Sequence, residues 1–338
     1  MRILHLLSSP VWSGPAEPVA LLAAAQRALG HAVSVAIDST RTLTGSEEPA
    51  GPHLESLGLR HAAGLRLCTH DGPLALWGDA RRLGRLELDV VHAHFSHDHW
   101  VMALSGSRAV RVRSFHAPRS LRTLRPPASA FTVPLASLGE RLGQPWRVLP
   151  PLVAPAFRPP DDRPALQASL GLSRPVVGMV STFQPTRRHA LALEGFAMLR
   201  RRAPSATLVL VGDGELGPAL RRRSGELGLS AQVRFAGYQS GEGFLRWLQA
   251  LDELWILGLG NDWSARAGAQ GRAVGARVVG VAEGALPAWA DVVLPELTPG
   301  ALEKAALGSE RRQVPLADTR AVAEEILALY AEAGGSAG

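Results

Sequence analysis

The sequence predicts an α/β protein built from two parallel-sheet domains of similar size. Three observations predict it. Short β-branched runs alternate with Ala- and Leu-rich stretches of helical length, which is the pattern of strands joined by helical crossovers. The alternation breaks at one proline-rich segment, VLPPLVAPAFRPPDDRP (148–164), and then restarts. The length of 338 residues suits about two domains of roughly 150 residues each. The expected division is 1–150, a linker over 151–164, 165–315, and a C-terminal helix and tail over 316–338.

In the first half the strands fall at RILHLL (2–7), AVSVAI (32–37), VVHAHF (90–95), VRVRSF (110–115) and, more weakly, SAFTVP (129–134), with helices near 15–29, 73–86, 98–106 and 135–143. Proline lacks an amide donor and fixes φ, so the 148–164 stretch cannot be packed helix or central strand and reads as the joint between the domains. Beyond it come strands at 175–181, 206–212, 232–237, 253–258, 277–282 and 291–296. Helices are expected over 187–202, 217–227, 243–250, 264–274 and 316–333, ahead of a frayed GGSAG tail. Two such sheets suggest a cleft, with ligands at the carboxyl ends of the strands.

Composition narrows the function classes. With 46% hydrophobic and 20% charged residues the chain reads as globular rather than disordered. No window reaches the roughly 18 uninterrupted apolar residues of a membrane-spanning helix. The opening MRILHLLSSP reads as a buried first strand rather than a signal peptide, so a cytoplasmic location is expected. Cys68 is the sole cysteine, which excludes a disulfide framework and any Cys-based metal cluster. The net charge is +6, carried almost wholly by arginine, since Lys304 is the one lysine. With the abundant Ala, Gly, Leu and Pro, this reads as coding bias in a GC-rich bacterial genome. Dispersed arginine is usually solvated surface, and no zinc-finger, RNA-recognition or basic-zipper pattern supports a nucleic-acid partner. The densest basic run, Arg221, Arg222 and Arg223, suits either a solvated helix face or contact with anionic lipid.

The loops at the expected strand ends carry the chemistry. After the first strand, Gly14 lies just before a helix start, where backbone amides and the helix N-terminus suit a phosphate or carboxylate, or simply form a loop. VGDGELG places Gly212, Gly214 and Gly217 in G-x-G-x-x-G order. A dinucleotide site would add an acid about 20 positions on, but the next strand ends in Ala236 and Gly237, so a tight turn is the better reading. HAHFSHDH holds His92, His94, His97, Asp98 and His99. His92 and His94 share one strand face, which suits a metal pair, a substrate contact or a set of internally paired histidines. The order is not that of H-x-H-x-D-H hydrolases. His116 ends the VRVRSF run at the carboxyl edge, where an imidazole can handle a proton or hydroxyl near neutral pH, or can be structural.

The second half resembles glycosyltransferase family 4. VSTFQPTRRHALALEGFAML (180–199) resembles the first βα unit of that family's C-terminal domain, LVLVGDGELGPAL the next, VRFAGY the strand after it, and ALDELWILG the family's D-V-x-x-x-P-S strand. NDWSARAGAQGRAVGARVVG falls where the family has E-G-F-G-x-x-x-x-E-A-M-A-x-G-x-P-V-V. In the first half LGHAVSVAI, DVVHAHFSHD and SFHAPRS resemble its G-H-x-V-x-V, V-V-H-x-H and T-x-H-G elements. The resemblance implies the GT-B architecture, two Rossmann-like domains facing a cleft, and retaining transfer of a sugar from a nucleotide-diphosphate sugar without a required metal or other cofactor.

By position, the resemblance implies that Arg187 replaces the lysine that holds the donor diphosphate, and that Asp262 and Gln270 fill the E-x7-E positions at the donor sugar and ribose. Thr182 stands where the family has an arginine. Arg188 or Arg266 would substitute for that cation. Gly212 and Gly214 fall on the donor side, His116 would orient the donor sugar, and His92 and His94 fall on the acceptor side. Trp263 replaces a glycine of the motif and narrows the sugar pocket, and Ala288 stands where the family has an acid. The implied acceptor is a glycan, lipid or small molecule, with nucleic acid excluded and peripheral membrane contact compatible. The departures at Thr182, Gln270 and Ala288 leave open a catalytically inactive homologue that binds a nucleotide, glycan or partner subunit, or a different sugar chemistry such as epimerisation.

Overall fold

A computed structural model describes residues 1–12, 14–43, 47–61, 64–122, 125–259 and 263–335. The chain divides into two compact units: residues 1–152 with 317–338, and residues 153–316. Among the described residues each unit holds a six-stranded sheet, and all strand pairs are parallel.

In the first unit β1 (Arg2–Leu7), β2 (Ala32–Ile37), β3 (Val90–Ala93), β4 (Val110–Ser114), β5 (Ala130–Val133) and β6 (Trp146–Val148) lie in the order β2-β1-β3-β4-β5-β6. In the second, β7 (Val176–Val180), β8 (Thr207–Val211), β9 (Val233–Gly237), β10 (Glu253–Ile256), β11 (Arg277–Gly280) and β12 (Val292–Val293) lie in the order β12-β11-β10-β7-β8-β9. These are the two Rossmann-like parallel sheets expected from the sequence. Each order reverses direction once, between β1 and β3 and between β7 and β10. Such reversals open a crevice at the carboxyl edge of a doubly wound sheet.

Both faces of both sheets are covered, which is why the central strands are largely apolar rather than alternating, with His5, His92 and Arg113 as buried polar exceptions. On one face of the first sheet Leu22, Val35, Leu54 and Val112 pack with Ile326, Leu329 and Tyr330, and on the other Leu4, Leu6 and Val91 pack with Leu83, Val101 and Met102. The second sheet carries Phe183, Leu193, Phe196 and Trp255 on one face and Val176, Val209, Leu251 and Val274 on the other.

Two boundaries differ from the sequence reading. The helix Thr319–Gly335, expected as a separate terminal piece, completes the core of the first unit through Val322, Ala323, Ile326 and Tyr330. The proline-rich joint also closes early, because a helix begins at Arg163. Its cap is Asp162, which accepts from the Ala165 amide at 2.9 Å, and the Arg163 guanidinium donates to the carbonyls of Gln249, Val274 and Gly275. The proline-rich stretch quoted from 148 overlaps the last residue of β6, a strand only three residues long and too short to show a period. Among the described residues no helix is long and apolar enough to cross a membrane.

Candidate functional site

The crevice of the second unit forms where β7, β10 and β11 end. β7 runs into Ser181, Thr182 and the buried Phe183. A short turn, Pro185–Arg187, follows, and Arg188 turns the chain at φ 61° into the helix His189–Leu199. β10 runs into Leu257 and Gly258, and the helix Arg266–Ala273 starts beyond the residues 260–262 that lie outside the description. These ends enclose a cavity of about 150 Å³ whose lining includes Ser181, Arg187, Gly258, Ala267, Gly268 and Glu283. That volume falls below the roughly 300–1,000 Å³ of a whole small-molecule site. It is scaled to part of a ligand.

Arg187 is the cation of this cavity. Its turn is stitched to the end of β10, since the Leu259 amide donates to the Thr186 carbonyl at 3.1 Å. A side chain at position 258 would meet Arg187 Cδ at 3.0 Å and Nη1 at 3.1 Å, so the absence of a Cβ there makes room for the guanidinium. Arg187 Nε is buried without a hydrogen-bond partner, and among the described residues Arg187 has no ion pair. Beside it, Ser181 Oγ lies 3.2 Å from His189 Nε2. Burial, reinforced by the charge of Arg187, pushes the His189 imidazole down to about 4, so it is neutral near pH 7. A guanidinium without an ion pair among the described residues, at the carboxyl edge, is suited to a phosphate, which its planar fork can grip through two donors.

The other residues singled out in the sequence fall as follows. Asp262 lies outside the described residues. Thr182 and Arg188 are exposed on the same loop but do not line the cavity. Arg266 heads its helix without lining the cavity, and burial pushes its guanidinium down to about 10, still charged at pH 7. Gln270, expected at the ribose, is buried. With its amide oxygen turned toward Arg266, it accepts from Nε at 3.3 Å and Nη2 at 3.2 Å. The two residues therefore serve each other one helical turn apart.

Gly212 and Gly214, expected on the donor side, are spent within the fold. Their amides donate to the Gly237 carbonyl at 2.9 Å and the Asp213 carboxylate at 2.8 Å. Both have left-handed φ, 143° and 153°, and a Cβ on either would strike the backbone of Ser181 or Phe183. They are glycines because two βα loops lie against each other. Gly14 also needs its positive φ of 55°, but the space where a Cβ would stand is open.

Two cavity residues escaped the sequence reading. Glu283 follows β11, and its Oε1 accepts from Trp263 Nε1 at 3.1 Å, which ties the aromatic that replaces a motif glycine to the cavity wall. The motif comparison looked for an acid at position 288, five residues further on. The signal available was the one that selected His116, a polar residue at the end of a buried strand. Ser181 follows β7 in the same way.

In the first unit β1 and β3 carry a cluster of buried histidines. His5 and His92 are register partners. His92 Nδ1 is 2.7 Å from Tyr330 Oη and its Nε2 is 2.8 Å from Ser114 Oγ, while His5 bonds Gln26 at 2.9 Å and His94 Nε2 at 3.0 Å. His92 and His94 were expected on the acceptor side. The structure corrects this, because both are fully buried, His92 against Tyr330 and Ser114 and His94 against His5. Burial holds both well below the ordinary imidazole value, and pushes His5 down to about 4. The three could converge on a metal, lying within 4.8 Å of one another, but the nitrogens of His5 and His92 are already hydrogen-bonded.

Asp98 is a cap rather than a ligand. It accepts from the amides of Phe95 and Ser8 at 2.8 and 2.9 Å, and burial pushes its carboxyl up to about 6. His116 stands in the loop after β4, as His94 does after β3. It is half-buried, hydrogen-bonded to the backbone of His94 and pushed down to about 4 by burial, and its Nε2 is unpartnered.

Comparison with known proteins places these features. Residues 162–252, which include the Arg187 turn, match the family model described as glycosyl transferases group 1. A GDP-mannose-dependent alpha-(1-6)-phosphatidylinositol monomannoside mannosyltransferase of Mycolicibacterium smegmatis is 29% identical over 236 residues, spanning 67% of this chain and 57% of the relative's own length. The crystal structure of Anabaena Alr3699/HepE in complex with UDP and glucose superposes with a TM-score of 0.72 at 16% identity, covering 99% of both chains. A glycosyltransferase from Rickettsia africae superposes with a TM-score of 0.70 at 14% identity, over 98% of this chain and 93% of that one. The chain is thus similar in fold to GT-B glycosyltransferases along its length, and similar in sequence to glycosyl transferases group 1 over residues 162–252.

Proposed function

We propose that this chain transfers a sugar from a nucleotide-diphosphate sugar to an acceptor with retention at the anomeric carbon. The observation that carries the reading is Arg187, a guanidinium without an ion pair among the described residues, in a carboxyl-edge cavity within the segment that matches the glycosyltransferase model. The names of the Anabaena and Mycolicibacterium proteins, with UDP and GDP-mannose, support a nucleoside diphosphate as the carrier.

The hard step in such a transfer is departure of a diphosphate from C1. Fixed positive charge placed where negative charge develops lowers that barrier. Arg187 supplies it, helped by the N-terminus of the helix Arg266–Ala273, whose dipole favours an anion. On this reading no metal is called on. The bond from C1 to the diphosphate oxygen breaks, the bond from C1 to the acceptor oxygen forms on the same face, and the leaving phosphate takes the acceptor's proton. Glu283, held by the indole of Trp263, lines the cavity where hydroxyls of the sugar would be accepted. His116, neutral at pH 7 with an unpartnered Nε2, is a positioning group for the donor sugar. The Mycolicibacterium relative acts on a phosphatidylinositol monomannoside, so lipid-linked acceptors come first in a screen.

The test is incubation of the full chain with a panel of uridine, guanosine and adenosine diphosphate sugars and mannosylated lipid acceptors, with product analysed by NMR. The expected result is a product whose anomeric configuration matches the donor. His116→Ala should lower turnover about 100-fold, in the range of a lost acid–base or positioning contact, while nucleoside diphosphate affinity changes less than threefold. Diphosphate binding without turnover of any donor would instead support the inactive homologue.

A further inference from the structure

We infer that a cavity at the amino edge of the second sheet binds a phosphate group, free or at the end of a small molecule. The cavity holds about 500 Å³ and opens where β7, β10 and β11 begin, with a lining that includes Arg174, Asp252, Glu253, Arg277, Gly308 and Arg311. That volume lies within the roughly 300–1,000 Å³ of small-molecule sites. The Arg187 cavity lies at the other end of the same strands, against Val180 of β7 and Ile256 of β10. A strand as long as β7, five residues, spans about 16 Å, so the two sites are separate.

The acids of the lining are turned into the protein. Asp252 Oδ2 accepts from the Val176 amide at 2.9 Å and from Gln167 Nε2 at 3.1 Å. Glu253 accepts from Trp255 Nε1 and the Leu307 amide and pairs with Arg277. Guanidinium groups are what remains toward the cavity. Arg174 is largely exposed and reaches Asp252 Oδ1 through Nη2 alone, at 3.3 Å. Arg311 is exposed and has no ion pair among the described residues. Its backbone is held on both sides, because the Glu310 carbonyl accepts from Arg277 Nε at 3.1 Å and the Arg312 amide donates to Asp291 at 2.7 Å. Arg277 is buried, but its Nη2 reaches the exposed carboxylate of Glu310 at 3.0 Å. A Cβ at Gly308 would stand 2.9 Å from that nitrogen, so the glycine keeps it clear. Burial lowers the Arg163 guanidinium, and the charges of Arg311 and Arg174 lower it further against the raising effect of Asp252, so these cations share one edge.

Three guanidinium groups from three segments suit an anion with several oxygens. A phosphate carries close to two negative charges near pH 7 and offers three strong acceptors. Planar arginine forks take such oxygens two at a time. Glu310 is an internal carboxylate already resting on Arg277 Nη2, and an incoming phosphate takes its place there while Arg311 and Arg174 close on the other oxygens. Pro175 and Leu307 bound the remaining volume, where the body of a phosphorylated molecule fits. The inference does not rest on sugar transfer, because it uses none of the residues around Arg187.

The experiment is calorimetric titration of the full chain with inorganic phosphate, glycerol 3-phosphate and glycerol, with ionic strength held constant because exposed charges are screened by salt. Both phosphates should bind and glycerol should not. A tighter ester names a phosphorylated small molecule as the source, and equal affinity names the free anion; either supports the site. Arg187→Ala should bind as wild type does. Arg311→Gln should bind about tenfold or more weakly with a melting temperature within a degree or two, since its side chain is exposed and unpaired. Glu310→Gln should bind about threefold tighter, because a competing charge is gone. Absence of binding to wild type would overturn the inference, as would an Arg311→Gln chain with wild-type affinity or a Glu310→Gln chain that binds more weakly. Binding that disappears in Arg187→Ala would also overturn it, by placing the phosphate in the other cavity.

Discussion

Lowering the pH from 7 to 5 is expected to cost the first unit most of its stability. His5, His99 and His116 are pushed down to about 4 by burial, and His92 and His94 are held well below the ordinary value. Folded, these imidazoles are neutral; unfolded, each takes a proton near 6.5. Their contribution is therefore complete above pH 6.5 and is lost as pH falls toward the folded values. Asp98 acts in the opposite sense, because its carboxyl is pushed up to about 6 and the folded chain holds that proton. The balance near pH 5 is an uptake of about four protons on unfolding, or about 5 kcal/mol for each pH unit, against a typical total of about 5–15 kcal/mol. Denaturant melts at pH 7, 6 and 5 measure this directly. A midpoint that does not move over that range would mean that the histidines are not closed off from water as described.

Glu253→Ala is expected to destabilise the second unit by about 3 kcal/mol, the low end of the cost of breaking a buried ion pair, because Arg277 keeps a second, exposed carboxylate, Glu310, at 3.0 Å. Glu253 and Arg277 are each 1% exposed and form an ion pair at the amino ends of β10 and β11. Glu253 also accepts from Trp255 Nε1 at 2.6 Å and from the Leu307 amide at 2.8 Å, while Arg277 donates to the Ala305 carbonyl at 2.9 Å. Removing the carboxylate orphans three donors together. Glu253→Gln keeps an acceptor for two of them and should cost about half as much. Replacing both residues by apolar ones should cost less than either single change, since burying the pair is itself expensive. Calorimetric melts of the three variants decide this. A Glu253→Ala chain within about 0.5 kcal/mol of wild type would contradict the pairing.

The strands were legible because apolar β-branched runs such as AVSVAI and ATLVLVG have no other stable place than a covered sheet. Arg187 was legible through the resemblance, which places it where the family's lysine holds the donor diphosphate. What escaped depends on contacts between distant positions. His92 and His94 look like surface ligands until Tyr330, more than 200 positions later, and Ser114 close over the ring of His92. The helix that carries Tyr330 looks detachable for the same reason. Gly212 and Gly214 imitate a phosphate loop, yet their need for glycine comes from the neighbouring loop at 181–183. Glu283 was overlooked because its motif was read for an acid at one position, while the strand end presents another.

The central claim is that the Arg187 cavity grips a diphosphate. The most direct measurement is a calorimetric titration of the full chain, and of Arg187→Ala, with uridine and guanosine diphosphates. The account predicts that wild type binds at least one of them, and that Arg187→Ala binds it about tenfold or more weakly with an unchanged melting temperature. Absence of binding to either nucleotide, or equal affinity in the two proteins, would contradict it.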